Sequence, residues 1–401
     1  MVKNKYETIL DYGSSKIRAG VIDIESTLTK FFIEENCENS FKIKNLKFED
    51  PEKKIYKVIK YLEKKLNYHL NDINLMVDSS DFTTIDVCLK KNFNNRLVQL
   101  NDFKNLLQEL NLLIKNNYQN LKILHFIITK INIDKKELST FPEENLNCNE
   151  LIFEAKFICL HSFIHNELIE QFKNKFISIK KIYCSSYVKS FFYKKYFNDY
   201  NYKFFLDIGF EKTCLTIYND NKLNQIKYIP IGGNHITKDI SKVLKISNEE
   251  AEKIKKNIYK LGMTFSTINV ENKDTDISNL FINSINKNIS VDLLKKIIFS
   301  RIDEIINLIF DQIHHEELVE RKNKSVLVFT GEGSKILNKK LISLIERFDC
   351  FKEINFFEES TALVCESGYN FKLNYNPQEI SLVPKKLKKT GFFEKFFYFF
   401  K

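Results

Sequence analysis

Two hydrophobic rhythms alternate along the chain. Thr8-Ile9-Leu10-Asp11-Tyr12-Gly13, followed by Ser14-Ser15 and Lys16–Ile22, reads as strand, tight turn, strand. Phe204-Phe205-Leu206-Asp207-Ile208-Gly209 repeats that grammar 196 residues further on and runs into a second strand through Tyr218. Val326-Leu327-Val328-Phe329-Thr330-Gly331-Glu332-Gly333 predicts a buried strand that breaks at glycine and enters a helix. Helical spacing places Ile55, Val58, Ile59 and Leu62 on one face over 51–70. Further helices are predicted near Asp102–Lys115, over 162–180 and over 292–313. Shorter strand-like runs cover Asn74–Val77, Thr84–Leu89, Ile123–Lys130 and Leu151–Phe157, and 181–203 reads as a link back to the core. The mixture predicts an α/β protein.

Composition narrows the class. At 401 residues the chain is long for one core and suits several domains. Only 10 glycines and 5 prolines exclude collagen-like and Pro-rich or Gly-rich disordered architecture, and they make each glycine informative. The net charge of +10 suggests an anionic partner. It is almost all lysine, however, with arginine only at 18, 96, 301, 321 and 347, so nucleic acid is not expected. The 8 cysteines form no C-x-x-C and no secretory signal precedes them, which reads as reduced thiols in the cytoplasm. His161 and His165 stand four apart but lack a third ligand, so no zinc site is expected.

The glycine turns carry the chemistry. An Asp-x-Gly hairpin offers backbone N–H groups and hydroxyls to phosphate oxygens. Its Asp can hold Mg²⁺ through water, since that ion keeps several of its waters. A strand followed by Gly331-Glu332-Gly333 lets a flat or charged ligand approach the backbone.

These three segments resemble the two phosphate motifs and the adenosine motif of the actin/Hsp70/sugar-kinase superfamily. Ile229-Pro230-Ile231-Gly232-Gly233, Thr237-Lys238-Asp239-Ile240 and Ala251-Glu252-Lys253-Ile254-Lys255 extend the resemblance to the FtsA family of bacterial actin-like cell-division proteins. The resemblance implies an actin-like two-lobed fold with an inserted small 1C-type subdomain and a C-terminal amphipathic helix. The implied boundaries are 1–80 and 158–203 for 1A, 81–157 for 1C, 204–232 and 300–376 for 2A, and 233–299 for 2B. A linker follows over 377–390 and a membrane-targeting helix over 391–401. ATP and Mg²⁺ are the implied cofactors. Asp11 and Asp207 would hold Mg²⁺ through water. Gly13, Ser14, Ser15, Lys16 and Gly209 would meet phosphates, with Gly233 beside them. Glu252 and Lys255 would lie at the ribose or base, and Gly331, Glu332 and Gly333 under the adenosine. Ser14 and Ser15 also read as ordinary turn residues, and Glu252 and Lys255 as an exposed helix pair. Arg301 lies where the family binds the C-terminal peptide of the tubulin-like protein FtsZ; it also reads as a salt-bridged helix arginine.

Departures from the family pattern point to weak or absent hydrolysis. Phe210 replaces a small residue beside the second turn, Glu211 would bring negative charge towards phosphates, and Glu332 separates the two glycines of the third. The expected hinge segment, Ile182–Lys189, offers no Gln or Glu to orient water. No catalytic residue is assigned.

The C-terminus adds a separate signal. Pro377 and Pro384 bracket an extended polar stretch. Beyond it, helical stepping puts Phe392, Phe393, Phe396, Phe397, Phe399 and Phe400 on one face and Lys395 on the other, with Lys388 and Lys389 just upstream. Such a helix is too short to span a bilayer but suits an anionic membrane surface. The expected role is an ATP-binding tether holding FtsZ at the cytoplasmic face of the inner membrane at the division site, with actin-like filaments and other divisome proteins as partners. Two alternatives share the fold: a PilM-like membrane assembly scaffold, and a small-molecule kinase, for which no catalytic Asp or substrate pocket is identified.

Overall fold

The computed structural model describes residues 5–36, 49–138, 146–260, 291–313, 324–337, 345–373 and 378–380. The chain divides into two compact units, one of residues 1–84 and 160–374, the other of 85–159 and 375–401.

The larger unit holds two five-stranded sheets of the same design. In the first, β1 (Tyr6–Tyr12), β2 (Lys16–Asp23) and β3 (Thr29–Asn36) form successive antiparallel hairpins. β4 (Asp72–Val77) then joins β1 in parallel and β9 (Ser178–Cys184) joins β4, giving the order β3-β2-β1-β4-β9. In the second, β10 (Tyr202–Ile208), β11 (Thr213–Asn219) and β12 (Lys222–Ile229) repeat the meander. β13 (Ser325–Thr330) and β14 (Glu353–Phe356) add in parallel, giving β12-β11-β10-β13-β14. The two inner strands, β1 and β10, are buried on both faces, which is why they read as near-continuous apolar runs.

Helices cover the sheets. On the first, α1 (Glu49–Leu66) packs against β2 and β3, and α8 (Thr361–Leu373) against β1, β2 and β3. α3 (Ser162–Lys173) contacts β9, and α4 (Ser185–Tyr193) packs against α8 and β11. On the second, α5 (Gly233–Leu244), α6 (Asn248–Lys260) and α7 (Val291–Phe310) close the core; Ile236, Ile240, Ile254, Ile298, Ile302 and Ile305 meet Leu206, Leu215 and Leu327 there.

The smaller unit carries a four-stranded sheet. Its strands, in spatial order, are β5 (Phe82–Val98, beginning in the larger unit), β8 (Leu146–His161), β6 (Leu121–Ile133) and β7 (Lys136–Leu138). α2 (Leu100–Asn117) buries Phe103, Leu106, Leu110 and Ile114 in this unit's core beside Phe126, Phe153 and Phe157. Residues 378–380 lie along β6: Ile128 N–H donates to Gln378 O at 2.7 Å, and Ile380 N–H to Phe126 O at 2.8 Å.

Several expectations need correction. The helix expected over 162–180 ends at Lys173; Phe176 takes a positive φ and β9 begins at Ser178, bonded to Asn71. The presumed link over 181–203 contains the end of β9 and the buried α4. After Gly331 the chain makes only a short 3₁₀ turn over Glu332–Ile336. His161 caps α3, its Nδ1 accepting from Phe163 N–H at 3.2 Å. The linker from 381 onward and the Phe-rich helix, including Lys388, Lys389 and Lys395, lie outside the described residues. No helix among the described residues is long and apolar enough to cross a membrane.

α8 sits close on the first sheet because Gly368 has no side chain. A Cβ there would stand 2.6 Å from Met76 Sδ and 2.9 Å from Ile9 Cγ2. We expect Gly368→Val to lower stability by about 1–3 kcal/mol through overpacking, read as a lower urea midpoint at unchanged m-value.

Candidate functional site

Each meander ends its first strand with an aspartate beside a turn. Asp11 closes on Arg18 across the β1–β2 pair, and Asp207 on Cys214 across β10–β11. The turns match: Gly13 N–H donates to Lys16 O at 3.0 Å, and Gly209 N–H to Lys212 O at 2.9 Å. β13 runs parallel to β10 with Thr330 beside Asp207, so Gly331 follows immediately over that carboxylate. Its φ of +84° is a glycine conformation, and a Cβ would lie 2.3 Å from Asp207 Oδ1.

The start of α4 supplies residues that sequence reading missed. Ser185 donates to Asp11 Oδ1 at 2.7 Å, Ser186 to Asp78 Oδ1 at 3.0 Å, and Lys189 Nζ reaches Asp207 Oδ2 at 2.9 Å and Glu359 Oε1 at 3.1 Å. Arg18 reaches Asp11 at 3.4 Å, Glu34 at 3.1 Å and Glu332 at 3.2 Å. Lys16 pairs with Glu34 at 2.6 Å and Glu332 at 3.2 Å, and its counterpart Lys212 with Asp78 at 2.6 Å.

These pairs set the charge states. Burial pushes the Asp11 carboxyl up, against the lowering pull of Arg18, Lys189 and Ser185. Burial raises Glu359 as well, only partly offset by Lys189. At Asp207 burial is outweighed by Lys189 and Lys212, and the carboxyl falls below its usual range. Burial would lower Lys189, but Asp207 and Glu359 raise it.

Two cavities follow from this arrangement. The outer one, about 440 Å³, lies within the usual size range of small-molecule sites. Gly233, Ile236, Glu252, Lys255, Gly333 and Ile336 help line it. Lys255 donates to Gly233 O at 2.9 Å and Thr237 Oγ1 at 2.8 Å and pairs with Glu252 at 2.6 Å; burial lowers its pKa. The inner one is about 40 Å³ and is bounded by Asp11, Gly13, Ser14, Lys189, Asp207 and Gly209, among others. Ser15, Lys16, Phe210 and Glu332 line both, and so stand between them.

The residues expected at the nucleotide and Mg²⁺ thus line the two cavities of the larger unit, and Arg301 lines neither. Glu211 is the exception among the departures from the family pattern: it lines neither cavity and accepts from Asn234 Nδ2 at 2.7 Å, so its charge is turned away. Glu252 and Lys255 form a partly buried pair at the cavity, not an exposed one. Arg301 is engaged by Asp239 at 2.5 and 2.9 Å and by Glu304 at 2.5 Å. The expected hydrated Mg²⁺ does not fit the residues as they stand. Asp11 and Asp207 each face a cation of the chain. The inner cavity has room for a few waters at most, while a six-coordinate ion with its waters and a phosphate needs more. Among the described residues no group of three or more His, Cys, Asp or Glu side chains could hold a metal ion.

The sequence model of the family described as Cell division protein FtsA matches residues 204–347, which carry the second hairpin and the Gly331 turn. Cell division protein FtsA of Buchnera aphidicola subsp. Acyrthosiphon pisum is 30% identical over 207 residues, 48% of this chain and 48% of that protein. Its Bacillus subtilis counterpart is 30% identical over 108 residues, 27% and 24% of the two chains. The chain is a divergent FtsA-like protein of the actin fold. The FtsA-like chain spans about half the length, or less, of these curated relatives. Its fold is similar to a chain of the PilM-PilN type IV pilus biogenesis complex, with a TM-score of 0.61 at 10% identity over 92% of this chain and 97% of that one. It is also similar to MreB5 of Spiroplasma citri bound to ADP, with a TM-score of 0.51 at 13% identity over 92% and 97%.

The network makes the FtsA-like chain acid-sensitive at one identifiable carboxyl. Burial would raise Glu34, but hydrogen bonds from Lys16 and Thr361 and the charge of Arg18 outweigh it and bring Glu34 down to about 2 from 4.5. A depressed carboxyl stabilises the native state above its unfolded pKa, and that stability is lost as pH falls towards the folded value. Solvent screening at this half-exposed position reduces the effect to about 1 kcal/mol. We expect Glu34→Gln to narrow the fall in urea midpoint between about pH 5 and pH 3 relative to the unsubstituted protein; an identical fall in both proteins would remove Glu34 from this role.

Proposed function

We propose that this protein is a nucleotide-binding, actin-like cell-division protein that links FtsZ to the cytoplasmic face of the membrane at the division site and assembles with copies of itself. The observation that carries the reading is the cleft itself. Two Asp-x-Gly hairpins of equivalent fold, with Gly331 crossing above Asp207, bound an inner cavity that adjoins an outer one of about 440 Å³ lined by Lys16 and Lys255. ATP is the nucleotide class this arrangement supports best. Gly333 and Gly233 leave open backbone for a base and ribose near Glu252 and Lys255, and Lys16 lies towards the phosphate end. Hydrolysis is weak or absent in this reading, because each inner carboxylate is held by a side chain of the protein.

The division role rests on the sequence match to FtsA over 204–347 and on the Phe-rich, lysine-flanked C-terminus. The pilus-scaffold alternative has the fold likeness to PilM in its favour, at 10% identity. The kinase alternative lacks an assignable catalytic aspartate, the cleft aspartates being ion-paired.

Three measurements test the reading. Titration of the full chain with ATP should give saturable binding, and no binding at millimolar ATP would remove the nucleotide role. Co-sedimentation with anionic vesicles should be lost on deleting 391–401 and retained by the full chain. Capture by an immobilised FtsZ C-terminal peptide should survive that deletion. Unchanged vesicle binding would remove the anchor, and failure of capture would remove FtsZ as the partner.

A further inference from the structure

We propose that Arg18 and Lys189 take the place of a divalent cation in this cleft, so that the protein binds its nucleotide free of metal. The inference rests on the nucleotide-binding reading above and deepens it.

The two side chains stand where an ion between the hairpin aspartates would act. Arg18 faces Asp11 at 3.4 Å and Lys189 faces Asp207 at 2.9 Å. Both cations are almost fully buried, with side chains 7% exposed. Together they carry two positive charges, the charge of Mg²⁺, and they are covalently part of the fold. Arginine does not release its proton in proteins. A divalent ion at either aspartate would therefore have to displace one of these cations from its carboxylate.

Arg18 is not a requirement of the hairpin. The equivalent cross-strand position of the second meander is Cys214, a small buried thiol. A buried guanidinium costs several kcal/mol in desolvation and persists only where carboxylates compensate it. Here three do: Asp11, Glu34 and Glu332.

The same network can hand its donors to a phosphate without leaving a carboxylate stranded. Glu332, which shares Arg18 and Lys16, also accepts from Lys335 through both oxygens at 3.0 Å. Glu34, which shares them too, also accepts from Thr361 at 2.9 Å. Lys16, which lines the outer cavity, can turn from these partners to phosphate oxygens, and the partners keep a donor each. Lys189 stays on Asp207 and Glu359, holding the charge that would otherwise repel the phosphates. Phe210 and Glu332, standing between the two cavities, keep the nucleotide on the outer side.

The test is calorimetric titration of the full chain with ATP, once with excess EDTA and once with excess MgCl₂. The expected result is apparent binding about tenfold or more weaker in MgCl₂, because Mg²⁺ competes with the protein for free ATP. Binding that is equal in the two buffers, that tightens with Mg²⁺, or that occurs only with it overturns the proposal while leaving nucleotide binding intact. Binding in neither buffer overturns both. A second measurement needs no variant: electron paramagnetic resonance of Mn²⁺ premixed with ATP. Adding protein should take up ATP and increase the sharp signal of free aqueous Mn²⁺. A broadened signal of protein-held Mn²⁺ would overturn the proposal.

Discussion

Two carboxylates at the heart of the larger unit must be neutralised, and much of its architecture follows from how that is done. Asp11 and Asp207 close the central strands of the two sheets and are 3% and 6% exposed. A buried charge deprived of its partner costs about 3–5 kcal/mol, so their partners are structural necessities. Those partners come from every direction. Arg18 approaches from the neighbouring strand, Ser185 and Lys189 from the first turns of α4, and Glu359 from the segment before α8 shares Lys189. The placement of α4 and the entry into α8 are thereby fixed by charge as well as by apolar packing. Glu332 of the second sheet's last turn reaches Arg18 and Lys16 of the first, so the ion network ties the two sheets of this unit together.

The two meanders share a backbone plan, with an Asp and a Gly at equivalent cleft positions, and differ in chemistry at their other turn positions. Lys16 and Lys212 occupy equivalent turn positions, yet Lys16 borders both cavities while Lys212 is buried against Asp78 and over the rings of Phe82 and Tyr228. Ser14 corresponds to Phe210, and Arg18 to Cys214. The first hairpin is thus the charged side of the site and the second is the closed side. A duplicated fold sets where the turns lie; the side chains decide which of them can meet an anion.

The hairpins and the Gly331 turn were legible because they depend on local pattern: an apolar strand, an aspartate, then a residue that must lack a Cβ. Lys189 and Glu359 were not. Lys189 lies in Tyr187-Val188-Lys189-Ser190-Phe191-Phe192, where a lysine among apolar residues reads as one that extends its amine to water. Glu359 lies in Phe357-Glu358-Glu359-Ser360, a run that reads as a solvated loop. Both side chains are buried because parallel pairing of β4 with β9 and of β13 with β14 brings their segments to the aspartates, and that pairing is long-range. The one available signal was the cation within the aromatic stretch of α4. The overlong helix expected over 162–180 failed for a related reason. Phe172, Phe176 and Ile179 fit a helical face on paper, but Phe176 turns the chain with a positive φ and pairing of β9 with β4 takes Ile179 into a strand.

The position of Phe210 and Glu332 between the two cavities gives the site a particular way of coupling to the fold. Lys16 links the two sheets through Glu332 at 3.2 Å, and the same lysine lines the outer cavity that an anion would enter. An anion that drew Lys16 away would remove one of two direct links between the sheets and leave the other, Arg18 to Glu332. A ligand shifts a conformational equilibrium only through contacts that differ between states. Here the differing contacts are the ion pairs of Lys16 with Glu332 and Glu34 at the mouth of the inner cavity, while the buried pairs of Asp11 and Asp207 persist behind them. Such a cleft would register an anion at its rim while the ion pairs at its centre stay in place.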